Sequence, residues 1–280
     1  MRDQVEAIFQ TIQYIEHHLG DEITVGQMAD VAGYSVFHFI RTFNQIVHLT
    51  PCDYLMRRRL TEAALRLANS DWRIIDIAQD FCFNSQEGFT RVFKKMFHLT
   101  PGQTRKAKRV PIHDLMPART MEDLQYVISG RFQPPKLENR EGISLKGLMT
   151  ALDVDAEVQV KQRDRIKEDV FGLPEFRSGS GIYEVFSSSD PYWENQYFFA
   201  GIEEGDLRME SANLVSRTIP AGLFTRINTA EKDRGLALRY VYSTWIPKEG
   251  LIASGNMEIV KQGGESNFRS ILIPVEKVID

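Results

Sequence analysis

Apolar residues recur at steps of three and four along the first hundred positions of the chain, which is the spacing of amphipathic helices. The first such run lies between Val5 and Leu19 and ends at a glycine. A second, shorter run ends at Gly33, a residue suited to the positive φ of a tight turn. Because Ser35 can then cap a third helix, the pattern predicts two helices joined by a tight turn.

This helix-turn-helix pattern occurs twice. Residues 28–51 read MADVAGYSVFHFIRTFNQIVHLTP, and residues 77–101 read IAQDFCFNSQEGFTRVFKKMFHLTP. Aligning the two segments matches Arg41 with Arg91, and both segments end in His-Leu-Thr-Pro. An internal duplication predicts that the two segments fold alike, so each is expected to form a helix-turn-helix unit.

The second helix of each unit has two distinct faces. At 100° per residue, one face carries a stripe of phenylalanines, which predicts the side that faces the core. The opposite faces carry Arg41 and Arg91 at matching positions. Such side chains can reach base edges in the major groove, where arginine pairs bidentately with guanine. The alternative is that Phe37 and Ile40 pack on a neighbouring helix; the matched arginines favour DNA.

A long helix is predicted between the two units. Thr50 and Pro51 provide an N-cap and a first-turn proline, and the helical pattern continues to about Asn69. Roughly 19 residues would span about 28 Å, close to the roughly 34 Å of one turn of B-DNA, so one monomer is expected to enter two successive major grooves. The three arginines at 57–59 are expected to lie near phosphates, which position a protein without specifying sequence.

Charge is distributed unevenly. The net charge is −4, yet residues 57–109 hold 12 Lys/Arg against 5 Asp/Glu, while residues 110–280 hold 20 against 26. The basic part suits a phosphate-facing surface. No apolar run reaches the roughly 18 residues that span a bilayer, and Cys52 and Cys82 match no metal spacing. A reduced, cytoplasmic protein without membrane contact, metal or cofactor is expected.

Motifs from both copies carry a family resemblance. They are Gly33-Tyr34-Ser35, Phe39-x-Arg41-x-Phe43, Thr50-Pro51, Phe89-Thr90-Arg91-x-Phe93-Lys94-Lys95 and Thr100-Pro101. Over about residues 5–107 the chain resembles the AraC/XylS-type transcription regulators. The resemblance implies sequence-specific binding to double-stranded promoter DNA, and RNA polymerase is a further expected partner. By position, the expected DNA contacts are Ser35, Phe37, Ile40 and Arg41 in the first unit and Gln86, Glu87, Thr90 and Arg91 in the second.

Two features depart from the family pattern. The first unit has Val36 and Ile40 where the family often carries a polar residue, so contacts to thymine methyl groups are expected there. The second unit has Cys82 where the first has Gly33, which predicts a strained or differently shaped turn.

Prolines mark a boundary after the repeated units, with four of them between residues 111 and 135. We therefore predict a DNA-binding domain at 1–108 and a linker at 109–140 that contains a short helix within 117–130. Residues 141–280 are predicted to form a second domain.

The second domain alternates between helix and strand patterns. Strands are predicted at 143–150, 181–187, 196–203, 214–219, 223–228, 256–262 and 268–275, and helices at 156–170 and 230–245. The predicted fold class is multidomain: an N-terminal all-α double helix-turn-helix domain followed by an α+β domain of two strand–helix–strand–strand halves, with a cleft between the halves.

The last part of the chain carries a second resemblance. Its residues are Ala237-Leu-Arg-Tyr240, Thr244-Trp245-Ile246-Pro247, Asn256-Met-Glu258-Ile259 and Ile271-Leu-Ile-Pro274. Over roughly residues 138–280 the chain resembles the GyrI-like effector-binding domains. This implies an aromatic-walled pocket with a central carboxylate, suited to lipophilic cations through charge and cation–π contact. By position the carboxylate is Glu258, and the candidate wall residues are Tyr183, Trp193, Tyr197, Phe199, Tyr242 and Trp245.

Three functions fit these patterns. The leading hypothesis is a transcription regulator whose C-terminal domain senses a small, lipophilic or cationic effector. The second is a small-molecule hydrolase in which Glu258 acts as general base. The sequence offers no Ser/His/Asp set, metal cluster or phosphate loop, so no enzyme is predicted. The third is a C-terminal domain that serves for protein contact.

Overall fold

The computed structural model describes residues 2–176, 181–209, 213–262 and 268–278. The chain divides into two compact units. The first unit comprises Met1–Phe132 together with Leu238–Lys248, and the second comprises Gln133–Ala237 and Glu249–Asp280. Among the described residues, no helix combines the length and the apolar character that crossing a bilayer requires.

The first unit is helical. Its helices are α1 Arg2–His17, α2 Val25–Val31, α3 Val36–Val47, α4 Pro51–Asn69, α5 Ile74–Asp80, α6 Gln86–Phe97, α7 Pro101–Ala107 and α8 Met121–Ile128, and a 3₁₀ turn at Ile112–Asp114 precedes α8. The helices predicted for both repeated segments form, as do the 19-residue α4 and the short helix predicted within 117–130. The two phenylalanine stripes lie inside: Phe39, Phe43, Phe89 and Phe93 are each 0% exposed.

Side-chain caps start α3 and α6, the second helices of the two repeated units. The Ser35 hydroxyl accepts a hydrogen bond from the His38 N–H at the start of α3, and Ser85 accepts one from Gly88 at the start of α6. The Thr50 hydroxyl does the same for Asp53 in α4. Because such a cap is typically worth about 1 kcal/mol, these residues fix where each helix begins.

The two turns share one backbone conformation. Gly33 has φ +68° and Cys82 has φ +62°. Equivalent hydrogen bonds close both turns, from Gly33 N to Asp30 O at 3.0 Å and from Cys82 N to Gln79 O at 2.9 Å. The predicted strain is therefore present, because Cys82 adopts the left-handed conformation, which costs a residue with a Cβ about 1–2 kcal/mol. The alternative prediction of a differently shaped turn is wrong.

The prediction that the α4 arginines lie near phosphates is wrong for Arg58 and Arg59, which are only 5% and 9% exposed. The Arg58 guanidinium donates to the Glu16 carboxylate at 2.7–3.0 Å and to the Met116 carbonyl at 2.7 Å. Arg59 Nε donates to the Leu19 carbonyl at 2.9 Å. Arg58 instead joins α4 to α1 and to the segment before α8, and Arg59 joins α4 to the residues that follow α1.

The second unit is built on one antiparallel sheet. Its strands are β1 Lys136–Arg140, β2 Ile143–Ala151, β3 Ile182–Ser188, β4 Gln196–Glu203, β5 Val215–Ile219, β6 Gly222–Ala230, β7 Leu251–Ala253, β8 Met257–Gln262 and β9 Phe268–Lys277. Neighbouring strands follow the order β1-β6-β9-β8-β3-β4-β2-β5, and β7 pairs with β9. Strand β1 lies in the stretch that was predicted as linker.

Two helices connect strands of this sheet. Helix α9, Ala156–Phe171, lies between β2 and β3 in the chain. Helix α10, Arg234–Tyr240, follows β6 and continues through a π-helical turn at Val241–Trp245. The chain passes from the second unit into the first within α10, because the boundary between the units falls after Ala237.

The register of the central strands assigns side chains to the two faces of the sheet. Phe186 on β3 lies opposite Glu258 on β8, and Tyr183 lies opposite Lys261. Because successive residues of a strand point to opposite faces, Phe186 and Glu258 share one face and Tyr183 and Lys261 share the other. The guanidinium of Arg234 from α10 lies 4.0 Å from the Phe186 ring centroid. We call the side of Phe186 the helix-bearing face and the side of Tyr183 the groove face.

Asp114 is a largely buried carboxyl in the 3₁₀ turn, and burial raises its pKa to about 7 from a usual value of 3.8. As pH rises above 3.8 the unfolded chain releases this proton before the folded chain does, so the folded state loses stability between about pH 4 and 7. Asp114→Asn is expected to raise the free energy of unfolding by roughly 2–4 kcal/mol at pH 8.

Urea unfolding at two pH values checks this expectation. The gain from Asp114→Asn should shrink to well under about 1 kcal/mol at pH 4, where the carboxyl is protonated in the folded chain and roughly two-fifths protonated in the unfolded chain. Burial lowers the pKa of His113 to about 4, so His113 also titrates in this range. Its contribution cancels because Asp114→Asn is compared with wild type at the same pH. A gain of equal size at both pH values would show that the carboxyl is not the cause.

Candidate nucleic-acid interface

Helix α3 exposes the residues that the sequence predicted as DNA contacts. Phe37 is 79% exposed and Ile40 is 38% exposed. Arg41 is exposed beside them, and Ser35 is exposed at the N-cap. These side chains lie opposite the buried stripe of Phe39, so the helix anchors one face in the core and leaves the other open.

Helix α6 repeats this arrangement. Gln86, Glu87 and Arg91 are exposed, and Thr90 is half-buried. The buried stripe of the same helix is aromatic, as in α3. Lys94 and Lys95 add two exposed cations in the last turn. The structure therefore brings each of the two predicted contact sets together on the outward face of its own helix.

The two helices also end alike. His48 after α3 and His98 after α6 both adopt the left-handed conformation, with φ 61° and 55°. The backbone N–H of each donates to the carbonyl four residues earlier. The intervening α4 has 19 residues and therefore spans about 28 Å, which suits two recognition helices about one turn of DNA apart.

In the second unit, Glu258 lies on the helix-bearing face and is 5% exposed. Arg234 Nη2 donates to its Oε2 at 2.9 Å. The same guanidinium stacks on Phe186, so the carboxylate predicted to balance a ligand cation already faces a cation of the protein. Arg234 was not among the predicted site residues, although it lies near the start of the predicted helix 230–245.

The other predicted pocket residues do not share that face. Tyr183, Tyr197 and Phe199 lie on the groove face, since Phe199 pairs with Val185 and Tyr197 with Ser187 in the register. The Tyr183 hydroxyl donates to the Glu203 carboxylate at 2.5 Å. Burial, together with that carboxylate, raises the pKa of Tyr183.

Three aromatic residues lie elsewhere. Trp193 lies between β3 and β4 with φ 58°. Tyr242 and Trp245 lie in the π-helical turn, which belongs to the first unit. Tyr242 stacks on His113 with ring centroids 3.8 Å apart. The six aromatic residues predicted to line one pocket with Glu258 therefore fall on different faces and segments.

The groove face carries an open groove of about 920 Å³. Its charged side chains form ion pairs: Arg140 with Glu138 at 2.9 Å, Arg226 with Glu138 at 3.1 Å and Lys261 with Glu203 at 3.7 Å. This groove is polar, in contrast to the aromatic pocket that the sequence predicted. Within the described ranges, no group of three His, Cys, Asp or Glu side chains is placed to hold a metal ion.

Two helix-turn-helix units with open recognition faces define a DNA-binding protein. Residues 28–107 match the model of a helix-turn-helix domain family. Regulatory protein SoxS of Escherichia coli (strain K12) is 36% identical over 94 residues, which are 34% of this chain and 88% of SoxS. The chain belongs to the AraC family of helix-turn-helix transcription regulators.

Two further proteins are similar over part of their length. An uncharacterized HTH-type transcriptional regulator of Bacillus subtilis (strain 168), YbfP, is 45% identical over 100 residues, which are 36% of this chain and only 34% of YbfP. The structure of SAV2435 bound to tetraphenylphosphonium covers 51% of this chain and 94% of SAV2435, with 12% identity and a TM-score of 0.40. A likeness of that size says nothing about what the second unit binds.

Proposed function

We propose that this chain regulates transcription by binding promoter DNA sequence-specifically through α3 and α6, and that its second unit senses a small molecule. The observation that carries the first part is the matched exposure of Arg41 and Arg91 on helices whose other faces are fully buried. Duplicated recognition helices with a 19-residue helix between them suit two successive major grooves on one side of the duplex.

The exposed side chains divide into two kinds of base contact. Arg41 and Arg91 are suited to guanine O6 and N7, and Glu87 to the amino group of cytosine. Phe37 and Ile40 are suited to thymine methyl groups. The first unit is therefore expected to prefer thymine beside its guanine, whereas the second unit reads a more polar pattern.

Phosphate contacts are expected from the exposed lysines rather than from the buried arginines of α4. Lys94 and Lys95 close α6, and Lys106 and Lys108 lie in and after α7. All four are exposed, and they lie in the last turn of the second recognition helix or after it. Each such contact releases counterions, so binding is expected to weaken as salt is raised.

Selection of bound duplexes from a random DNA library tests this part of the proposal. The full chain should enrich a site with two half-sites whose centres lie about one helical turn, roughly 10 base pairs, apart. A single enriched half-site would limit base reading to one unit. Enrichment of no sequence, with binding governed by salt alone, would contradict sequence-specific recognition.

For the second part, the ligand is proposed to act at Glu258. An incoming lipophilic cation would replace Arg234 as the counter-ion of this buried carboxylate and would take its place over Phe186. Glu184 offers a matched control, since it is equally buried on the neighbouring strand and on the same face, where Arg269 lies 3.4 Å away.

Thermal unfolding with tetraphenylphosphonium as the probe tests this site. Wild type and Glu184→Gln should be stabilised, and Glu258→Gln should not be. Equal stabilisation of all three proteins would place the cation away from Glu258. Turnover of a small substrate that disappears with Glu258→Gln would instead favour the hydrolase alternative, and retained partner binding without any ligand would favour a protein-contact module.

A further inference from the structure

The segment Leu238–Lys248 belongs to the helical unit although it follows that unit by more than a hundred positions in the chain. Its Tyr240 hydroxyl lies 2.6 Å from Nδ1 of His48. The two rings meet edge to face with centroids 5.4 Å apart, and Phe132 packs against both. A residue from the far end of the sequence thus contacts the residue that ends α3.

A second set of contacts holds the same segment. Arg119 is 5% exposed, and its Nη2 donates to the Ser243 hydroxyl at 2.7 Å and also to the Thr244 hydroxyl. Arg239 Nε lies 3.3 Å from the Asp123 carboxylate. These contacts tie the π-helical turn to the residues around the start of α8, so that Tyr240 is held in place from both sides along the chain.

The duplication allows His48 to be compared with its counterpart, His98. His48 is the C-cap of α3, and its backbone N–H donates to the Asn44 carbonyl. The equivalent His98 caps α6 in the same conformation but is exposed. Among the hydrogen bonds of the described residues, none joins the His98 ring to another side chain. The histidine that ends the first recognition helix is therefore held by a distant segment, whereas the ring of the histidine that ends the second makes no such hydrogen bond within the described part of the chain.

We propose that Tyr240 is a positioning residue for α3: it fixes the C-terminal end of the first recognition helix, so that the first half-site is bound at full strength only while Leu238–Lys248 is seated. The second recognition helix reads its half-site without this support. This inference rests on the proposed reading of DNA by α3 and α6. It predicts that α3 depends on the segment Leu238–Lys248 for DNA binding and that α6 does not.

Binding of the full chain to the selected duplex, and to two derivatives with one half-site scrambled, tests the proposal. Tyr240→Phe removes one hydroxyl, and His48→Asn keeps a residue that tolerates the left-handed conformation. Each should weaken binding that depends on the first half-site about three- to tenfold, the effect of one hydrogen bond. Binding that depends on the second half-site, and both kinds in the control His98→Asn, should stay at wild-type strength.

Amide hydrogen exchange of the free protein gives a readout that needs no DNA. Tyr240→Phe should speed exchange in the last turn of α3, at residues 44–48, and leave the last turn of α6 unchanged. Unchanged exchange in α3 would overturn the positioning role, whatever the DNA result. Equal weakening of both half-sites would overturn it as well, since a general loss of stability acts on both. Faster exchange in α3 without any half-site preference in wild type would uphold the positioning role and remove the proposed function.

Discussion

Arg58→Met is expected to lower the free energy of unfolding by about 3–5 kcal/mol, the usual cost of removing one partner of a buried ion pair. The Arg58 side chain is 6% exposed and bridges Glu16, Glu62 and the Met116 carbonyl. Methionine would fill much of the volume but satisfy none of these acceptors. The Glu16 carboxylate, 19% exposed, and the Met116 carbonyl would then lose their donor inside the unit.

Arg66→Met on the same helix is the matched control. Arg66 pairs with Asp80 at 2.6 Å, but both side chains are about 40% exposed, and a surface pair is worth about 1 kcal/mol or less. Urea unfolding of the two variants beside wild type measures the difference. If Arg58→Met costs no more than Arg66→Met, the buried network does not hold α1, α4 and the segment before α8 together.

The second large effect concerns DNA. Arg41→Ala and Arg91→Ala are each expected to weaken binding to the selected operator by about 1–3 kcal/mol and to relax the preference for guanine at one position. The two arginines lie on separate helices, so the losses should add in the double variant. Competition binding against duplexes that carry each base at the two positions measures both effects.

Lys94→Ala separates base reading from phosphate contact. Lys94 is exposed in the last turn of α6, where it is expected to contact a phosphate. Its loss should weaken binding to all duplexes alike and reduce the dependence on salt, without changing base preference. An arginine variant that behaves in this uniform way would be a phosphate contact rather than a base contact.

The helical unit was largely predictable because its signals are local. The spacing of apolar residues and the Ser and Thr caps fix helix starts within a few residues, and the duplication supplies each assignment twice. Arg58 was mispredicted even though a signal was present: it follows Tyr54 by four residues and Pro51 by seven, which puts it on the buried stripe of α4.

The residues of the predicted pocket could not be derived from local sequence signals. Seven strands were placed to within a few residues, whereas β1 and β7 were not predicted. Which side chains share a face depends on register, and a shift of one residue moves a side chain to the other face. Glu258 and Tyr183 are separated for this reason. Tyr242 lies in the helical unit because of contacts such as that between His48 and Tyr240, 192 positions apart. No local pattern records such contacts.

Methylation protection of guanine N7 on the selected operator is the most direct test of the central claim, that two duplicated helices read successive major grooves through Arg41 and Arg91. Wild type should protect guanines in two patches about one helical turn apart. Arg41→Ala should lose protection in one patch only, and Arg91→Ala in the other only. Retention of both patches in both variants, at wild-type affinity, would contradict the claim.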